Sequence, residues 1–277
     1  MSNAQQLATL VSRSYFSNEA SFLDRLYSDI HSIIERLEKS SDKYYCDDED
    51  KITSAIVLTL CELGYDASEQ TKKNGTVDIT VKPKDNTFTW IGEAKIGYGN
   101  TKIFEGMLQL LSRYVKRDNN AGLLIYFQKH SSHNHFNKWL KYLYNKEWQT
   151  YCTKKGTLEK ANRLLGHLES KDYIKTEEYY HDLNVVKPCG KAAIVRMFYA
   201  DLHHDPIDKS GVTNQSLILG QAKNELRDYC QKWDDGEFTQ DDVADLVKNL
   251  KIFVEFDPDG HLDEEDKDDD IDETPQH

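Results

Sequence analysis

At 277 residues the chain can bury one substantial hydrophobic core. With 38% hydrophobic and 30% charged residues and no apolar run near the ~18 residues of a membrane span, it does not read as a helical membrane protein. The formal net charge of −13 argues at first against a nucleic-acid partner, but the charge is unevenly spread. Residues 71–160 carry 16 Lys and Arg against 7 Asp and Glu, whereas 257–277 carry 11 acids and one lysine. A basic segment of that kind is the footprint expected of a phosphate-backbone binder.

Residues 5–40 predict two helices broken near Ser17 and Asn18. The second carries Phe22, Leu23, Leu26, Ile30, Ile33, Ile34 and Leu37 at helical spacing. Residues 1–45 are expected to form accessory helices on the main domain, with a protein partner or a homodimer contact as the other use of that stripe. A helix follows over 48–63, with Ile52, Ile56, Val57, Leu60 and Leu63 inward and Gly64 just past its end. Its first turn holds Glu49 and Asp50, where acids meet the helix dipole favourably. Residues 64–67 begin a connector or edge strand that leads to the basic turn Lys72-Lys73-Asn74-Gly75.

Next comes a β-hairpin: alternation over 76–82, turn chemistry at Pro83-Lys84-Asp85-Asn86, and an extended pattern over 87–96. After the loop Gly97-Tyr98-Gly99-Asn100 a helix is expected over 102–117, capped by Asn100 or Thr101. Phe104, Met107, Leu108, Leu111, Tyr114 and Val115 face the core; Glu105, Gln109, Ser112, Arg113 and Lys116 face away. Residues 121–127 are nearly all apolar, as in a central strand buried on both faces. Strand, helix and strand make a crossover unit, so the expected class is α/β, a mixed central β-sheet flanked by helices. Residues 128–190 read as a helical and irregular insertion in which Trp139, Tyr142, Tyr144 and Trp148 pack in the core, the alternative being that they stack bases beside Lys138, Lys141 and Lys146. Later expectations are a strand over 191–199, helices over 217–232 and 241–250, a short strand at Ile252-Phe253-Val254, and an acidic disordered tail over 257–277. The five dispersed cysteines, without a C-x-x-C pair, fit buried free thiols in a reducing, cytoplasmic setting. The N-terminal residues lack the order of a signal peptide.

The chemistry concentrates in the hairpin. Glu93 and Lys95 are two apart and share one face of their strand, and Asp78 meets that face from the neighbouring strand. Two carboxylates supply hard oxygen ligands for Mg²⁺. The ion would lower the pKa of a bound water and offset charge developing on phosphorus, with Lys95 positioning the water or stabilising that charge. On the polar side of the next helix, Gln109 would reach the water or the scissile phosphate. Arg113, Lys116, Lys72 and Lys73 would hold the nucleic-acid backbone. The competing reading is a solvated hairpin face with one cross-strand ion pair worth ~0.2–1 kcal/mol.

Asp78, fourteen intervening residues, then Glu93-Ala94-Lys95 resembles the signature of the PD-(D/E)XK, or restriction-endonuclease-like, nuclease superfamily. Val77 stands where the signature has proline. The resemblance covers residues 47–127, including the flanking helices. It implies a restriction-endonuclease-like core over 46–256, with Asp78 and Glu93 as metal ligands. Glu49 would assist at the metal, and Lys95 and Gln109 would act on the reaction. It also implies Mg²⁺ (or Mn²⁺) as cofactor and nucleic acid, in the first place DNA, as partner. The resulting expectation is a metal-dependent endodeoxyribonuclease, with a bacterial defence effector as its setting. The alternatives are a catalytically idle nucleic-acid-binding or regulatory subunit on the same scaffold, and an acidic tail that mimics DNA.

Overall fold

The structure is a computed structural model that describes residues 15–72, 76–208, 211 and 213–254. Helix α1 (Glu19–Glu38) begins where the Asn18 side chain accepts the Ser21 N–H at 2.9 Å. Helix α2 (Glu49–Glu62) begins in the same way at Asp48, which accepts the Lys51 N–H. Gly64 follows its end at φ 102°, and the Tyr65 N–H returns to the Leu60 carbonyl, closing the helix as the sequence predicts.

The strands are β1 (Asp66–Lys72), β2 (Thr76–Lys82), β3 (Trp90–Ile96), β4 (Asn120–Phe127), β5 (Tyr180–Val186) and β6 (Ala192–Asp201). They form one six-stranded mixed sheet in the order β1-β2-β3-β4-β6-β5. β1, β2 and β3 are antiparallel, β3, β4 and β6 run parallel, and β5 returns antiparallel on β6. On one face α1 and α2 bury Ile30, Ile34, Ile56 and Leu60 against Ile79, Trp90, Tyr126 and Phe198. The opposite face is covered by α3 (Asn100–Gln109), α4 (Ser132–Tyr144), α5 (Trp148–Lys154) and α6 (Leu158–Leu165). Helices α7 (Gln215–Asp235) and α8 (Asp242–Phe253) complete the described chain. The α/β class with a mixed sheet between helices is therefore as expected, and β4 is buried on both faces.

Four details differ from the sequence reading. The helix expected over 102–117 starts at Asn100 with Gly99 as its cap, and from Leu110 to Tyr114 it widens into a π turn closed by Val115 N–H to the Leu110 carbonyl. Strand β5 was hidden because the exposed Asp182 and Asn184, with the half-buried His181 on the inner face, dilute the apolar signal of Leu183 and Val185. Ile252 and Phe253 continue α8, since their spacing from Val243, Leu246 and Val247 is helical. Of the five cysteines, all free, Cys152 alone is buried. Helix α1 lies within the sheet's own core, so its apolar stripe is covered by this chain and is not a free surface for a second copy. Trp139, Tyr142, Tyr144 and Trp148 are core residues, as expected. The first expected helix, Lys73 and the acidic tail lie outside the described residues. Among the described residues no helix is long and apolar enough to cross a membrane.

Trp90 holds the middle of the sheet. Its indole lies across the paired glycines Gly92 and Gly122 of β3 and β4, where a β-carbon on Gly92 would stand 2.8 Å from Cη2 and one on Gly122 would overlap the ring. Gly122→Ala should therefore overpack the core and lower stability by about 1–3 kcal/mol. Chemical denaturation checks this, and an unchanged midpoint would show that the indole can move aside.

Candidate functional site

The site forms where the β2–β3 ladder stops. Pairing runs Val81↔Trp90, Thr80↔Ile91, Ile79↔Gly92 and ends, while β2 continues with β1 as far as Lys72↔Thr76. Beyond Gly92, β3 has a strand neighbour on its β4 side, with none in register on the other among the described residues. The N–H groups of that open edge are nevertheless satisfied. Ala94 N–H donates to Asp78 Oδ2 at 2.9 Å and Ile96 N–H donates to Glu49 Oε2 at 3.1 Å. Two carboxylates thus stand where the carbonyls of a pairing strand would be.

Strand alternation does the rest. Ala94 and Ile96 point into the core under α1 and α2, so Glu93 and Lys95 point to the other face, which Asp78 shares from β2. The Lys95 ammonium lies 2.8 Å from Glu49 Oε1, 3.1 Å from Glu93 Oε1 and 3.7 Å from Asp78 Oδ2, and donates to the Ala94 carbonyl at 2.6 Å. The structure thus brings Asp78, Glu93, Lys95 and Glu49 together. Glu49 is there through contacts beyond the dipole of its own helix.

The cluster is over-supplied with negative charge: three carboxylates surround one ammonium. Glu93 is 1% exposed, and its Oε2 accepts no hydrogen bond from the described residues. Burial pushes the Glu93 carboxyl up to about 7, with the charges of Asp78 and Glu49 adding to it and Lys95 opposing. Burial likewise raises Glu49, against the pull of Lys95. Burial disfavours the Lys95 ammonium, but the surrounding carboxylates, Glu93 first, outweigh it and hold its pKa above the ordinary lysine value.

An unpaired buried carboxylate oxygen is costly, and the chemistry that relieves it is a second cation. Asp78 and Glu93 offer hard oxygen ligands. Both oxygens of Glu49 are already engaged, which makes it a brace for Lys95 and the β3 edge rather than a first choice of ligand. Among the described residues no group of three or more His, Cys, Asp or Glu side chains forms a metal cage. A divalent ion held by two carboxylates completes its shell from water and substrate, which is the usual habit of Mg²⁺. The residues present fit that group.

Helix α3 covers the cluster. Gly106 lies against the Lys95 stem, and the π turn, underwound relative to an α-helix, rotates Tyr114 back toward the face that carries Gly106. The Tyr114 phenol is raised by burial and then by the charge of Glu93. From the sequence Tyr114 is expected on the core face of the flanking helix that the resemblance includes, and Gly106 has no expected part in the site. The available signal was a glycine inside a helix, which is roughly 1 kcal/mol worse than alanine there. Gln109 is half-buried one turn beyond Gly106, and no hydrogen bond joins it to the cluster among the described residues. Arg113 and Lys116 are exposed. Lys116 donates to the Ser112 carbonyl. The Lys72 side chain lies outside what the structure describes.

A larger cleft of about 900 Å³ opens beyond the N-terminus of α3, between α7 and α5, lined by Gly99, Lys102, Lys129, Lys154, Asp228 and Asp235. None of the four clustered residues lines it, and its lysines and acids are interleaved. No protein-family model matches the chain, and neither a curated protein nor a solved structure is significantly similar to it.

The Glu93 pKa carries a stability consequence. Its folded value near 7 lies above the ordinary carboxyl value of 4.5, so the folded state binds the proton more tightly. Stability from this group is present below the lower value and is lost as pH rises through the higher one. Metal-free Glu93→Gln should therefore gain on the wild type across that window, by roughly 1–3 kcal/mol above about pH 7. Melting curves in chelator at acid and neutral pH measure it; a gap independent of pH would contradict the assignment.

Proposed function

We propose that the chain is a metal-dependent nuclease of the restriction-endonuclease-like kind, hydrolysing phosphodiester bonds, in the first place of DNA. The observation that carries this reading is the excess of carboxylate charge around Lys95, with a buried, unpartnered Glu93 oxygen at its centre. Asp78 and Glu93 would hold Mg²⁺ or Mn²⁺. Such an ion supplies Lewis acidity, lowering the pKa of a water and offsetting charge on the phosphoryl group. Lys95, fixed by Glu49 and the Ala94 carbonyl, brings the positive charge that orients the attacking water or meets charge developing on the phosphoryl oxygens. Water oxygen bonds to phosphorus as the ester oxygen leaves with a proton, so no covalent enzyme intermediate is required. Arg113 and Lys116, with Lys72 and Lys73 by the β1–β2 link, supply charge for the nucleic-acid backbone.

A second reading has its own observation. Asp78 and Glu49 already satisfy the open edge of β3, so the cluster could be structural in an idle nucleic-acid-binding scaffold. Incubation with supercoiled plasmid in Mg²⁺, Mn²⁺ or chelator separates the two. The nuclease reading expects metal-dependent nicking that falls by about 100-fold or more in Asp78→Ala, Glu93→Ala and Lys95→Ala, with circular dichroism unchanged. Undiminished nicking by Glu93→Ala would remove the mechanism. A wild type that leaves DNA and RNA intact while still binding them would favour the scaffold.

A further inference from the structure

The nuclease reading above leaves open what keeps the Lys95 stem on course, and the packing of α3 supplies a candidate outside the carboxylate cluster. Lys95 leaves β3, passes under α3 and ends among three carboxylates and the Ala94 carbonyl. At the crossing point stands Gly106, buried in the interior of α3 between the core residues Phe104 and Met107. A β-carbon on Gly106 would stand 2.7 Å from Lys95 Cγ, 3.0 Å from Cε and 3.2 Å from Cδ. The nearest of these atoms is close to the backbone and cannot swing away freely. The far end of the side chain is tied down at 2.8 Å to Glu49 and 2.6 Å to Ala94. Any side chain at 106 must therefore lift α3 off the sheet or drive the ammonium out of its cluster.

We propose that Gly106 is a positioning residue: its lack of a side chain is the channel that lets Lys95 reach Glu93, Glu49 and Asp78. Glycine is conformationally expensive inside a helix, and Gly106 needs no left-handed backbone to justify it. Its presence is accounted for by the lysine it admits. The inference rests on the nuclease reading for its catalytic consequence but not for its packing consequence, which allows the two to be tested apart.

The experiment is a double-mutant cycle of Gly106→Ala and Lys95→Ala on the full chain, read by melting temperature and by plasmid nicking. With Lys95 present, Gly106→Ala should lower the melting temperature. With Lys95→Ala the crossing stem is gone, and Gly106→Ala should raise it, because alanine is the better helix former. In nicking, Gly106→Ala should reduce kcat at least tenfold with a small change in KM, and should add nothing to the loss caused by Lys95→Ala. Equal gains in melting temperature in both backgrounds, together with undiminished nicking, would overturn the inference and leave the nuclease reading intact. If the wild type cuts neither DNA nor RNA, the nuclease reading falls, and the sign change in melting temperature alone decides whether Gly106 positions Lys95.

Discussion

The open edge of β3 is the constraint from which the site follows. A strand that loses its neighbour leaves N–H groups that must find acceptors, and here the acceptors at Ala94 and Ile96 are the carboxylates of Asp78 and Glu49. One carboxylate comes from the strand that has just departed, the other from the first turn of the helix that packs behind it. Divergence of β2 from β3 therefore makes a gap and at the same time delivers charge to it. Strand alternation adds Glu93 and Lys95 from β3 itself, and α3 closes the far side with Gly106 and the π turn.

What results is a locally unfavourable arrangement held by a favourable frame. Trp90 across Gly92 and Gly122, and the two apolar layers on either side of the sheet, fix the strands around the cluster. The cluster keeps a carboxylate almost wholly out of water with one oxygen unpaired. Local conflict of this kind, embedded in an otherwise consistent fold, is where function is commonly found. Lys95 neutralises part of the charge, and the remainder is of the sign and size that a divalent cation would match.

The hairpin was legible in the sequence because alternation is a strong local signal, and the strand boundaries of β2 and the apolar run of β4 followed directly. The convergence of Asp78, Glu93 and Lys95 was legible for the same reason. The placement of Glu49 was readable as a first-turn acid, but its contact with Ile96 depends on how α2 docks, which no local pattern encodes. Strand β5 was obscured by its polar outer face, and the π turn ending at Tyr114 by the absence of any proline or glycine to mark it. Gly106 was visible as a letter but silent as to cause, since its neighbour Lys95 is on another element.

The central claim is that the surplus negative charge around Lys95 is a seat for a divalent ion. Anomalous diffraction from crystals grown with Mn²⁺ tests it most directly. A manganese peak at ~2.1 Å from carboxylate oxygens of both Asp78 and Glu93 is the predicted result. A map with manganese bound elsewhere and nothing between these two side chains would contradict it.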